Sequence, residues 1–86
     1  MKNLFDFSVV PKKGEELFEE LFVNEKIRVE KIFSNELKNG QWYDQEGDEL
    51  VFLLQGKATL EYEDRKKDLL AGDIEFIPSG VKHRVF

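Results

Sequence analysis

Eighty-six residues make one domain at most, and with no cysteine among them neither disulfides nor thiolate metal sites can supplement its core. A net charge of −5, with thirteen basic residues scattered among eighteen acidic ones, leaves no basic face for nucleic acid. The longest apolar run, Leu50 to Leu54, is too short to span a bilayer, and Met1 to Asp6 lacks the apolar stretch of a signal peptide. A cytoplasmic location is the default expectation.

A chain this short buries only about 60 to 65% of the surface its unfolded form exposes. Stability must come from its apolar side chains, of which eight are phenylalanines read here as core, or from a second copy in a homodimer.

In chain order, Glu15 to Phe22 pairs Leu17 with Leu21 and Phe18 with Phe22 at helical spacing, and it equally alternates as a strand. A strand is favoured because everything after it reads as β. Asn24-Glu25 turns the chain into an Ile27–Phe33 strand. Leu50 to Leu54 is a continuous apolar run, as expected of a strand buried on both faces. Gln55-Gly56 offers a tight turn, and Ala58, Leu60 and Tyr62 then share one face of a half-buried strand. Together the two predict a hairpin. Asp64-Arg65-Lys66 makes a second polar turn, and the basic run Arg65-Lys66-Lys67 is read as solvated. Leu69-Leu70 is a short apolar segment, Ala71-Gly72-Asp73 turns again, and Ile74 to Ile77 forms another strand. Pro78-Ser79-Gly80 stops it, and Val81 to Phe86 can form the last. Short strands divided by turns predict an all-β sandwich or barrel.

The segment Gly72 to His83 resembles the second sequence motif of the cupin superfamily: glycine, five residues, proline, one residue, glycine, two residues, histidine. Gly72, Pro78, Gly80 and His83 fill all four positions. Glu49 and Gly56 match the second half of the first motif, whose opening glycine and two histidines are missing. With a gap of four residues before Glu49 the histidine positions fall on Trp42 and Asp44; with three, on Tyr43 and Gln45. The opening glycine would fall on Glu36 or Leu37.

The resemblance runs from Gly40 to Val85 and implies a single cupin-like domain over 1–86. Residues 1–35 would supply N-terminal strands and 36–86 both motifs, in a double-stranded β-helix, or jelly-roll, small barrel. Cupin barrels continue one or two strands past the motif histidine, so a barrel lacking its last strands is expected. A partner chain would cover the unpaired edge.

What the resemblance implies about the site is narrower. Cupins typically hold a divalent metal through three imidazoles and the glutamate, and His83 is the chain's single histidine. A tight three-histidine site is therefore excluded. His83 and Glu49, with an oxygen from Asp44 or Gln45, would hold at most a weakly bound divalent metal. Alternatively His83 and Glu49 form an acid/base pair facing a small-molecule pocket, or simply bond to each other inside the barrel. Trp42, Tyr43 and Tyr62 are candidate pocket-lining aromatics, with core packing or a dimer contact as their alternative roles. Alternation points Arg84 away from His83, toward solvent.

Three functions follow as expectations. The first is a cupin binding a small polar molecule, of sugar or organic-acid type, without a tight metal site. The second is a metal-dependent dioxygenase, isomerase or decarboxylase, and the third a dimeric interaction module.

Overall fold

The computed structural model describes residues 2–37 and 41–86 and contains seven β-strands. No helix among the described residues is long and apolar enough to cross a membrane. Gly40, which opens the upstream cupin-like segment, lies outside the described residues. The chain divides into two compact units, Met1–Lys38 and Asn39–Phe86.

In the first unit, β1 (Glu16–Val23) pairs antiparallel with β2 (Arg28–Ser34), with a bulge between Glu20 and Phe22. The helical alternative for this segment is set aside by that ladder. Asn24 makes the turn, its Oδ1 accepting hydrogen bonds from the backbone N–H of Lys26 (2.8 Å) and Ile27 (2.9 Å), which is how a short amide side chain mimics a backbone turn. Lys31 on β2 is only 7% exposed. Its ammonium donates to the carbonyls of Asn3 (3.1 Å) and Asp6 (2.5 Å) and lies over the rings of Phe7 and Phe33. A buried ammonium is tolerated only when its donors are met in this way. Lys31 thus ties the N-terminal segment to the hairpin.

The second unit contains β3 (Glu49–Phe52), β4 (Lys57–Tyr62), β5 (Lys66–Leu70), β6 (Ile74–Ile77) and β7 (His83–Val85). β3 pairs with β6, and β5, β4 and β7 form a three-stranded sheet in that order. The predicted hairpin between Leu50–Leu54 and the Ala58–Tyr62 strand is therefore not a ladder. The chain does bend at Gln55-Gly56, with Gly56 at a φ of 80°, but the strands on either side of it belong to different sheets. A turn fixes a reversal; only the burial of both inner faces fixes which strand lies alongside. Lys66 and Lys67, read as part of a turn, instead begin β5, opposite Glu61 and Leu60 of β4.

The core of this unit is Leu60, Tyr62, Leu69 and Ile77, with Val51, Leu53, Val81 and Val85 packed against it. Two expectations are corrected here. None of the eight phenylalanines is fully buried, and five of them are more than half exposed. The Leu50–Leu54 run is not buried on both faces either. Leu50 and Phe52 alternate with Glu49 and Val51 and point outward, opposite Phe76 and Ile74 of β6. An unbroken apolar run hides its alternation, because every position looks equally suited to the interior.

The turns that close the motif rest on positive backbone angles. Gly72 has a φ of 94° and Gly80 of 78°, a region in which a side chain would be strained. The Pro78–Gly80 turn is tied to the loop before β3 by three hydrogen bonds. Gly80 N–H donates to Gln45 O (2.8 Å), Ser79 N–H to Asp48 Oδ1 (2.9 Å), and the Ser79 hydroxyl to Glu46 O. These bonds bring two segments more than thirty residues apart to one place.

Candidate functional site

His83 opens β7 directly opposite Tyr62 of β4, and partners in an antiparallel ladder face the same side. Its side chain is 5% exposed. Nδ1 lies 2.9 Å from Val81 O. A carbonyl only accepts, so Nδ1 carries the hydrogen and Nε2 is the nitrogen turned toward Glu49, 3.4 Å from its Oε2. Gln45 donates its amide to that same carboxylate oxygen at 2.6 Å. On the other flank, Tyr43 and His83 exchange both backbone hydrogen bonds (2.8 and 2.9 Å), and their rings lie 6.4 Å apart. Tyr43, Gln45, Glu49 and His83 are thus brought together.

Trp42 and Asp44, which alternate with Tyr43 and Gln45, do not join them. Trp42 packs under the Arg84 guanidinium, 4.6 Å from its ring, and under Lys82 at 5.6 Å. Arg84 alternates with His83, so Trp42 lies on the other side of the sheet from the imidazole. Asp44 is exposed. Side-chain direction therefore favours the three-residue register of the first motif, in which Tyr43 and Gln45 stand at the histidine positions. The backbone at Glu36, with a φ of 51°, has the glycine-like conformation the other register asks for. Direction decides the matter, because ligand contact is made by side chains.

Arg84 was expected to be exposed. It does face away from His83, yet it is half-buried, donating to Glu61 Oε1 at 2.6 Å and stacking on both Trp42 and Phe86.

Tyr62 belongs to the core at 3% exposure, and its hydroxyl donates to Glu75 Oε2 at 2.7 Å. Glu75 is an interior carboxylate that the sequence reading did not single out. Its signal was present in the alternation of β6, which places Glu75 on the same face as the buried Ile77. Lys67 pairs with it at 3.1 Å, and Arg65 stacks over the Tyr62 ring.

Burial, followed by the bond to Glu75, pushes the Tyr62 hydroxyl from an ordinary value of 10.0 up to about 12. The same bond is the main cause holding Glu75 below its ordinary 4.5. The two shifts act on stability in opposite pH directions. Tyr62 contributes stability that is whole below about pH 10 and is lost as pH rises through about 12. Glu75 contributes stability present above pH 4.5 and lost as pH falls through its lowered value. In a Tyr43→Phe background, which leaves one tyrosine, phenolate absorbance should appear near pH 12 or together with unfolding. Phenolate formation near pH 10 in a protein still folded would show that the Tyr62–Glu75 bond does not form.

A separate depression of about 380 Å³ lies between Lys57–Thr59, Asp68–Leu70 and Phe86, away from His83. Its Thr59 hydroxyl and Asp68 carboxylate already satisfy each other at 2.9 Å, so it offers little for recognition.

Compared with known proteins, the cupin domain model matches residues 36–86, more than half of the chain. The chain belongs to the cupin family. This cupin superposes with a TM-score of 0.81 on a protein from Ralstonia eutropha JMP134 provisionally identified as a mannose-6-phosphate isomerase, at 31% identity over 99% of this chain and 82% of that one. A cupin superfamily protein from Desulfitobacterium hafniense DCB-2 superposes with a TM-score of 0.72 at 22% identity, over 90% of this chain and 71% of that one, and shares the fold. No curated protein matches the chain. The all-β architecture is thus that of a small cupin jelly roll.

The donor set does not fit the metal that the family implies. Catalytic metal sites use three protein ligands, and here one imidazole and one carboxylate face each other. Among the described residues no three of His, Cys, Asp and Glu converge. Gln45 turns its amide hydrogens, not its oxygen, toward Glu49.

Proposed function

We propose that this cupin binds a small polar molecule, of sugar or organic-acid type, at Tyr43, Gln45, Glu49 and His83, without a tight metal site. The carrying observation is the pinned imidazole: Nδ1–H is held by Val81 O, which aims Nε2 toward Glu49. Packing alone does not require that orientation. The name of the Ralstonia eutropha neighbour supports the sugar side of the reading.

A thermal-shift screen of sugars and organic acids on protein purified without chelators tests the proposal, with metal analysis of the same sample. At least one compound should raise Tm, with metal well below stoichiometric. A stoichiometric divalent metal that is lost in His83→Ala would replace this reading with the metal-dependent enzyme.

A second reading, the dimeric module, is favoured by one observation. The outward face of β3–β6 is wholly apolar: Leu50, Phe52, Ile74 and Phe76, each between 54 and 59% exposed. In this two-by-two patch each aromatic lies opposite an aliphatic. A second copy related by a two-fold axis in the plane of the sheet, along or across the strands, sets every phenylalanine against a leucine or isoleucine. Such a self-complementary face suits an isologous dimer. Light scattering should find a dimer that Leu50→Asp converts to monomer; a monomeric wild-type protein would refute it.

A further inference from the structure

Gln45 and Glu49 stand beside His83, yet no ladder holds the chain just before Glu49. Tyr43 is bridged to His83 and β3 begins at Glu49, while residues 44–48 between those points belong to no strand. Gly47, the residue type with the most backbone freedom to lose, lies within that loop. Left to itself such a loop would spread Gln45 over many orientations, because fixing a backbone costs conformational entropy. Gln45 nevertheless places its amide 2.6 Å from Glu49 Oε2, the oxygen that lies 3.4 Å from His83 Nε2.

The order is imposed by the Pro78–Gly80 turn. Two of its residues reach three residues of the loop: Gly80 N–H meets Gln45 O, Ser79 N–H meets Asp48 Oδ1, and the Ser79 hydroxyl meets Glu46 O. The turn is stiff enough to serve as an anchor. Pro78 has its φ locked by the ring, and Gly80 holds a positive φ of 78°. His83 follows three residues after Gly80, so one turn places both the imidazole and the loop that faces it. Two of the three bonds depend on a side chain, the Ser79 hydroxyl and the Asp48 carboxylate. Both residues are exposed and neither belongs to the core. Ser79 is also the unspecified residue between the proline and the second glycine of the family's motif.

We infer that Ser79 and Asp48 are positioning residues of the candidate site, acting through Gln45 to fix the Glu49 carboxylate against His83. Their role rests on the binding reading above, since positioning matters only where a ligand is met. The clamp itself is read without any ligand.

The single histidine makes the test unambiguous. The imidazole nitrogen resonances of His83 are followed by NMR at one fixed pH, with and without Gln45→Ala. In the otherwise native protein that substitution should move them, because it takes a hydrogen bond from the carboxylate oxygen facing Nε2. In a Ser79→Ala/Asp48→Ala background, checked for folding by circular dichroism, it should move them less than half as far. Ser79→Thr/Asp48→Asn keeps a hydroxyl and an acceptor oxygen, and should restore the full response. A merely structural role would lower Tm in the double variant and leave the response to Gln45→Ala unchanged. An equal response in both backgrounds, or none in the native one, would overturn the inference and leave the binding reading to the thermal-shift screen. A screen in which nothing binds would overturn that reading, and the positioning role with it.

Discussion

Leu60→Ala should destabilise the Asn39–Phe86 unit by about 2–5 kcal/mol, the usual range for truncating a buried leucine. Leu60 is fully buried at the middle of β4, paired with Val85 of β7 on one side and Lys67 of β5 on the other. It is one of four residues that make up this core, and Ile77 is the other fully buried one. With so few core side chains, the neighbours cannot close over the cavity without losing their own contacts. Domain stabilities are about 5–15 kcal/mol, so the loss is a large fraction of the total. Urea unfolding followed by the fluorescence of Trp42, the single tryptophan, measures it. Leu70→Ala is the control, because Leu70 is 62% exposed on the neighbouring strand. Equal midpoints for the two variants would mean that the packing around Leu60 is not as described.

His83→Ala should remove ligand-induced stabilisation altogether and cost about 1–3 kcal/mol in the free protein. The second effect has a local cause: the bond from Nδ1–H to Val81 O is lost inside the unit. The first follows from removing the nitrogen that Glu49 and the ligand space share. Thermal shift with the best ligand from the screen separates the two, since the baseline Tm falls while the ligand increment vanishes. Glu49→Gln should lower the increment with little change in baseline, because Glu49 lies nearer the surface. A full ligand increment in a folded His83→Ala protein would locate binding elsewhere.

Much of the site was legible in the residues themselves. Gly72, Pro78, Gly80 and His83 bring the family's second motif, and the structure sets His83 buried beside Glu49. Tyr43 and Gln45 were among the named candidates, but nothing in the sequence separated them from Trp42 and Asp44. Glu75 went unremarked because Ile74 to Ile77 reads as an ordinary strand; its alternation puts Glu75 with Ile77, and the burial of Ile77 is what shows that face to be the inward one. Lys31 went unremarked for a similar reason. A lone lysine in an alternating strand looks solvated until the carbonyls of Asn3 and Asp6 close over it.

By itself the sequence determined the strand class, most of the places where the chain turns and the absence of a three-imidazole metal site. Those properties belong to local backbone preference and to residue counts, and need no neighbour to define them. The tertiary structure alone decided that β3 lies beside β6, that the phenylalanines stay outside the core, and that Tyr43 and Gln45 turn toward His83 while Trp42 stacks under Arg84. The reason is the period of the strand. A shift of one residue sends every side chain to the opposite face, and what selects the register is the fit of two sheets against each other, which no single strand contains.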